Sequence, residues 1–477
     1  MARVDEVRDR LERADQAHLL RFYEELSEPQ RAQLLDDIDS IDLERVPDWV
    51  DRFVKTKPEF DLPRDIDPPL WYPRDPGDKR RPYDAEAYWR RGEELIGAGQ
   101  VAAFCVAGGQ GTRLGWDGPK GAFPATPVTR KPLFQVFSEF IRSAARRYQV
   151  TIPFYVMTSP LNHDDTIRFF ERHEFFGLDS ESVMFFSQGV MPSFDRETGR
   201  ILLADKHRVA VNPDGHGGSL KALWERGALA DMRQRGIRHI SYIQVDNPLV
   251  RVLDPLFIGL HATAPDSSAE MSSKMVWKAG PTEKVGNFCR VRGRTTVIEY
   301  SDLPDELAQR RDANGDLVFC AGSIAIHLLG VDFVERLNTG AEGFALPFHR
   351  ADKKVAHIDL ESGERIEPEE PNAVKLETFV FDALPLCEHS LILESSREEE
   401  FAPIKNASGV DSAESSRELQ CERAARWLEA AGTEVPRRDD GTLDACIEIS
   451  ADTALYPDDV RAGGSPNAIK RGAELVL

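Results

Sequence analysis

The sequence predicts an α/β fold on a mixed, mostly parallel sheet, with a helical N-terminal region before it and a small C-terminal domain after it. Three observations carry this expectation. From Val101 to about residue 385, short apolar runs alternate with longer runs of helical periodicity, the pattern of strands joined by crossover helices. After about residue 270 the pattern becomes more strand-rich, which implies a mixed sheet. The first apolar run ends in a glycine-rich turn, at the carboxyl edge where such sheets hold their ligands.

At 477 residues the chain exceeds one ordinary core, so two or three domains are expected. The boundaries read as 1–95 for the helical region and its connector, 96–385 for the central domain and 386–477 for the last.

The elements follow in order. Val4, Val7, Leu11 and Ala14 recur at helical spacing, as do Leu19, Tyr23 and Leu26, so residues 1 to about 54 read as helices with a packing role. Ser27 with Gln30 three residues on, and Pro29 in the first turn, is a capping-box start. Residues 55–82 hold seven prolines and read as an extended connector laid over the next domain. Residues 84–97 read as a helix. Strands are expected at Val101–Val106, Phe154–Met157, Val183–Phe186 and His239–Val245, with helices at Leu133–Tyr148, Thr166–Phe175 and Gly218–Gln234 between them. Met275–Lys278, Phe288–Val291 and Thr296–Tyr300 are the later strands, and Arg417–Ala431 is the C-terminal helix.

Composition excludes some partners. A net charge of −21 argues against nucleic acid or an anionic membrane, and any phosphate site must therefore be a local basic cluster. No apolar run approaches the roughly 20 residues of a membrane span, and Met1 to Glu6 lack a signal peptide's apolar core. The six cysteines form no C-x-x-C pair, which disfavours zinc and dithiol chemistry. A reducing cytoplasm is the expected compartment.

The densest signal is Ala107-Gly108-Gly109-Gln110-Gly111-Thr112-Arg113-Leu114-Gly115, followed by Pro119-Lys120-Gly121. Glycines let backbone N–H groups approach an anion, and Arg113 and Lys120 add two cations. The same residues also suit a tight turn with solvated charges. A P-loop is excluded because no Lys-Ser or Lys-Thr follows. A dinucleotide fingerprint runs straight into a helix, which Pro119 and Pro124 oppose. Val245-Asp246-Asn247-Pro248 ends a strong strand, so Asp246 stands where it could hold Mg²⁺ or cap a turn.

The turn and its P-K-G sequel resemble the signature of the UDP-sugar pyrophosphorylases, in the branch of the eukaryotic-type UDP-N-acetylglucosamine enzymes. The resemblance continues through Phe185-Phe186-Ser187-Gln188-Gly189, Asn212 to Lys221, Val245-Asp246-Asn247, Pro281 to Cys289, Ile298-Glu299-Tyr300, Phe319 to Ser323, Asp352-Lys353-Lys354, Val374 to Asp382 and Arg397 to Ala407. It covers roughly residues 85 to 410. It implies a Rossmann-like nucleotidyltransferase fold similar to glycosyltransferase A, and transfer of uridylyl from UTP to a sugar 1-phosphate with pyrophosphate released. N-acetylglucosamine 1-phosphate is the implied sugar. Ala107, Gly108, Gly109, Gly111, Thr112, Gln188 and Gly215 are implied in nucleotide binding, with Gln188 reading uracil. Arg113, Lys120 and Lys405 are implied in catalysis, Asp246 as the Mg²⁺ ligand, and His216, Gly286, Glu299 and Ser323 at the sugar.

Two departures fall at the sugar end. His216 and Ser323 stand where the family has asparagines, and Cys320 replaces a third. A site that loses a polar partner loses discrimination, so glucose 1-phosphate or a broader hexose range is the alternative. Two further readings are a non-catalytic UDP-sugar-binding protein and a glycosyltransferase. The second expects a D-x-D pair, and Asp246-Asn247-Pro248 lacks the second aspartate.

Overall fold

Four parallel strands form the heart of the sheet because each is an apolar run bounded by turn residues. A computed structural model describes residues 2–57, 65–340 and 343–477. In sheet order the four strands are His239–Gln244, Val101–Val106, Phe154–Thr158 and Val183–Ser187. Their register sets Gln244 opposite Val106, and Val106 opposite Met157. The strand ends therefore lie level, and the residues that follow them emerge side by side.

The sheet then turns antiparallel. Ala321–Gly330 pairs antiparallel with His239–Gln244 and also with Met271–Trp277 and Asn287–Val291. Arg294–Ile298 extends Asn287–Val291 as a hairpin, and Leu391–Glu394 runs parallel to Met271–Trp277. The result is a ten-stranded mixed sheet, as expected. Ile66–Asp67 adds to the edge at Asn287–Val291, and Tyr72 donates its N–H to Ile392. The connector from residue 65 thus lies on the sheet; Pro58 and Pro63 fall outside the described residues.

Helix Leu133–Tyr148 buries Phe134, Phe137, Ile141 and Ala144 at four- and three-residue intervals, one face of a helix. Each large apolar side chain there contributes about 1.5–3 kcal/mol. The helix expected at 218–234 is two helices, Gly218–Glu225 and Ala228–Gln234, because Gly227 between them takes φ +79°. The helix expected from Thr166 is His163–Arg172.

The described residues group into two units. The larger holds residues 63–187, 220–345 and 383–477, and with them the whole ten-stranded sheet. The last segment expected from the sequence, 386–477, lies within it. It contributes helix Ala413–Ala430 and the parallel pair Ala445–Glu448 with Ala473–Val476.

The smaller unit holds residues 1–62, 188–219 and 346–382. Its core joins Leu11, Leu34, Ile38 and Val46 of the N-terminal helices to Phe194, Val374 and Leu376. Helix Glu28–Asp39 starts at the capping box of Ser27 and Gln30, as the sequence indicates. Gln16 fastens the helices further: its side chain accepts from the Ile201 N–H at 2.7 Å and donates to the Gly199 carbonyl at 3.3 Å. His349–Lys353, Ala373–Glu377 and Phe194–Asp195 form a three-stranded antiparallel sheet.

Candidate active site

Because Val101–Val106 and His239–Gln244 are paired in register, the glycine turn and Asp246 leave the same sheet edge together. Lys120 Nζ lies 3.5 Å from Asp246 Oδ2, with both side chains mostly buried. The turn is folded back on itself: Gly111 donates to the Gly118 carbonyl and Lys120 to the Gly109 carbonyl. A side chain at Gly111 would meet Trp116 at 2.7 Å, which is why no larger residue fits there. The amides of Gly108 and Gly109 make no backbone hydrogen bond among the described residues. Thr112 and Arg113 begin a short 3₁₀ turn, both are exposed, and Arg113 makes no ion pair among the described residues.

Two asparagines that sequence reasoning passed over hold this edge in shape. Asn162 is fully buried and donates to the carbonyls of Ala107 and Gly109, at 3.1 and 3.2 Å. Its own Oδ1 accepts from the Ser159 N–H at 2.8 Å. The turn's carbonyls are thereby drawn inward. Asn247 donates to the Glu400 carbonyl at 2.6 Å and accepts from the N–H groups of Ala402 and Leu249, at 3.1 and 3.2 Å. The Ile404 N–H completes the seam on the Asp246 carbonyl at 2.8 Å. This seam brings Lys405 beside Asp246, although 158 positions separate Asn247 from Lys405 (405 minus 247). Lys405 is exposed. A lone asparagine after a strand signals only a turn, so nothing local could have revealed the partner segment.

Gly286, Glu299 and Ser323 form a second cluster in the larger unit. The Ser323 N–H donates to the Gly286 carbonyl at 2.8 Å. A side chain at Gly286 would lie 2.6 Å from Val297 and 3.5 Å from Glu299 Oε1, so glycine is required for close packing. Cys320 is buried, and its carbonyl accepts from the Lys278 N–H at 2.8 Å.

Gln188, Gly215 and His216 fall in the smaller unit and also come together. Gln188 is buried and donates to Asp214 Oδ1 at 3.5 Å. Gly215 takes φ +86°, and a side chain there would meet the Thr378 carbonyl at 2.3 Å. His216 stacks on Phe379, with ring centres 5.3 Å apart, and its Nδ1 accepts from the Val380 N–H at 3.1 Å. Burial first, then the charge of His349, lowers the His216 pKa to about 4. The ring is therefore neutral near pH 7, and with Nδ1 accepting, its one proton sits on Nε2.

A sequence model of the family described as UTP–glucose-1-phosphate uridylyltransferase matches residues 85–422. The chain belongs to this family. Among its relatives, the human UDP-N-acetylhexosamine pyrophosphorylase-like protein 1 is 37% identical, covering 91% of this chain and 87% of that one. The UDP-N-acetylglucosamine pyrophosphorylase of Saccharomyces cerevisiae is 35% identical, over 92% of each. The crystal structure of the uridine diphosphate N-acetylglucosamine pyrophosphorylase from Trypanosoma brucei, in complex with an inhibitor, matches with a TM-score of 0.81 and 27% identity, over 98% of both chains. The fold is accordingly the α/β nucleotidyltransferase fold of the UDP-sugar pyrophosphorylases. No described helix is long and apolar enough to cross a membrane.

Among the described residues no group of three or more histidine, cysteine or acidic side chains gathers to hold a metal. Asp246 is the carboxylate at this edge. One carboxylate with substrate phosphates and waters is a donor set that Mg²⁺ accepts, and it does not suit an ion needing an all-protein cage.

Proposed function

We propose that the chain is a uridylyltransferase that makes a UDP-sugar and pyrophosphate from UTP and a sugar 1-phosphate, with N-acetylglucosamine 1-phosphate the foremost acceptor. The observation that carries this reading is the Lys120–Asp246 pair, 3.5 Å apart at the sheet edge, beside two glycine amides that make no backbone hydrogen bond among the described residues, in a chain of this family. The catalytic machinery is assigned to the segment 96–385 together with Lys405.

In the reaction a sugar-phosphate oxygen attacks the α-phosphorus of UTP, and pyrophosphate leaves in line. Both substrates are anions, so the protein has to align them and stabilise charge on the leaving group. The amides of Gly108 and Gly109 cradle the triphosphate, next to Ala107 and Thr112. Arg113 neutralises the departing pyrophosphate, and Lys120 the oxygens at the α-phosphorus. Lys405 steadies the incoming sugar phosphate. Asp246 would hold Mg²⁺, which would supply positive charge to the phosphates. The attacking oxygen is already ionised, so no general base is needed. Gln188 and Gly215 are assigned to uracil, and Gly286, Glu299, Ser323 and His216 to the sugar. Six free thiols fit the reducing cytoplasm proposed as the compartment.

A second acceptor, glucose 1-phosphate, is favoured by one observation. The side chain of His216 is a neutral ring with Nδ1 already bonded, so it offers a single donor, where the family's asparagine amide offers both a donor and an acceptor. Pyrophosphate release measured with UTP and a panel of sugar 1-phosphates tests both readings. Release with N-acetylglucosamine 1-phosphate several-fold faster than with glucose 1-phosphate supports the first, and the reverse order the second. No release with any sugar refutes the enzyme and favours a UDP-sugar-binding protein.

A further inference from the structure

Helix Ala413–Ala430 is bonded to backbone that flanks each segment of the catalytic edge. Arg417 donates to the Pro124 carbonyl and Gln420 to that of Ala125, just beyond Lys120. Arg423 donates to the carbonyls of Leu249 and Glu399, at 3.0 and 3.3 Å, and so joins the backbone after Asp246 to the backbone before Lys405. Ser416 donates to the Ala402 carbonyl at 2.7 Å, and Trp427 to the Glu399 carboxylate at 2.8 Å.

A second support comes from strand Ala445–Glu448. The buried Glu448 carboxylate accepts from the N–H groups of Val128 and Thr129, at 3.0 and 2.9 Å, and from the Thr129 hydroxyl. This fixes the loop that leads from Lys120 into helix Leu133–Tyr148.

Cys421 of the helix and Cys446 of the strand, a pair that no C-x-x-C spacing signals and that only the fold brings together, face one another with their sulfurs 3.7 Å apart. The Ile447 N–H donates to the Cys421 sulfur at 3.4 Å, which holds that thiol in place. Both cysteines line a wide groove of about 1170 Å³ that also presents Arg130, Arg417 and Arg438 together with Glu414, Glu418, Glu422 and Asp440. Cys446 is partly exposed there, whereas Cys421 is buried. A disulfide bond is about 2.05 Å long, so side-chain rotation and a small approach of strand and helix would close it.

We propose that Cys421 and Cys446 are an oxidisable dithiol whose disulfide joins the two supports of the catalytic edge. The oxidant is a small-molecule disulfide such as glutathione disulfide. The Cys446 sulfur attacks one of its sulfurs, the S–S bond of the oxidant breaks, and one small thiol leaves. The Cys421 thiol then gives its proton to solvent, and its sulfur displaces the second small thiol. Overall two S–H groups are oxidised to one S–S bond, and the oxidant is reduced to two thiols. Cys446 is the more exposed thiol, so the mixed disulfide forms there first, and burial, which raises the Cys421 pKa, slows the displacement that follows.

The test uses the folded, fully reduced chain incubated with glutathione disulfide and read by intact mass and peptide mapping. The expected sequence is a glutathione adduct on Cys446, then a 421–446 crosslink that has lost two hydrogens. Cys421→Ser should stall at the adduct, and Cys446→Ser should leave Cys421 unmodified. Free alkylation of Cys421 in the oxidant-treated native wild type overturns the proposal, as does a crosslink that forms only in urea. For the crosslinked form, amide exchange at Val128, Thr129 and Ala402 should slow by about threefold or more and recover on reduction. Unchanged exchange at these amides in a fully crosslinked sample overturns the coupling to the catalytic edge.

Discussion

Replacing Asn247 by alanine tests whether the seam between Asp246 and Lys405 is built as described. The substitution removes the acceptor of the Ala402 and Leu249 N–H groups and the donor to the Glu400 carbonyl. Leu249, Glu400 and Ala402 are all buried, so water does not readily replace these partners. Each buried group left unbonded costs about 1–3 kcal/mol. With the Ile404–Asp246 bond still in place to limit the damage, the net loss should be about 3 kcal/mol. The backbone leading to Lys405 would also be left with the Ile404–Asp246 bond as its tie to that strand end, and misplacement of about 1 Å costs on the order of 10²-fold in rate. Urea unfolding gives the stability change, and pyrophosphate release with UTP and sugar 1-phosphate gives turnover. Asn247→Asp separates geometry from charge, since it keeps the acceptor but sets a carboxylate oxygen against the Glu400 carbonyl. It should be at least as damaging as alanine. Stability within about 0.5 kcal/mol of wild type, with normal turnover, in both variants would refute the seam's role.

Further expectations follow from the same contacts. Lys120→Ala and Arg113→Ala should each lower turnover by about 10²-fold or more, as loss of charge stabilisation does; near-normal turnover in either refutes its assignment. His216→Asn should raise the preference for N-acetylglucosamine 1-phosphate over glucose 1-phosphate, read as the ratio of their kcat/KM values, and an unchanged ratio removes His216 from the sugar. Burial lowers both His216 and His239 to about 4, below the value of about 6.5 for an unfolded histidine. The unfolded chain therefore takes up these protons first as pH falls. Each histidine should lower stability by up to about 1.4 kcal/mol per unit between pH 6.5 and 4, and by nothing further below that. His216→Phe should flatten the slope of urea-midpoint stability against pH in that window, and an unaltered slope contradicts the buried neutral ring.

Where one strand or helix was governed by its own residues, the sequence was enough. Val101–Val106 and Leu133–Tyr148 have the predicted ends, because a continuous apolar run and a helical stripe are local signals. Strand Met271–Trp277 begins four residues before its predicted start at Met275 (275 minus 271). Ser272, Ser273 and Lys274 interrupt the apolar pattern of a buried strand, yet all three are buried and partnered. Ser272 bonds His261, Ser273 bonds His327, and Lys274 pairs with Asp254 and Glu400. Polar residues enter a core when their partners arrive from distant segments, which alternation of apolar and polar residues cannot reveal.

The smaller unit was hidden for the same reason. The N-terminal helices share a core with residues 194–209 and 348–376, and no local pattern joins three such separated segments. At the candidate site, residue type and position after a strand pointed to the glycine turn, Arg113, Lys120 and Asp246, and the structure sets Lys120 beside Asp246. Asn162, Asn247 and Arg423 were not, because each acts by bonding backbone remote in sequence, and the residue itself carries no sign of that partner.

The glycine turn, Lys120 and Asp246 are proposed to hold together the phosphates of a uridine nucleotide. A crystal soaked with UDP-N-acetylglucosamine and Mg²⁺ tests it most directly. The diphosphate should lie within hydrogen-bonding distance of the Gly108 or Gly109 amide, with Lys120 turned from Asp246 toward a phosphate oxygen. A diphosphate bound away from residues 108–120, with the Lys120–Asp246 pair undisturbed, would contradict it.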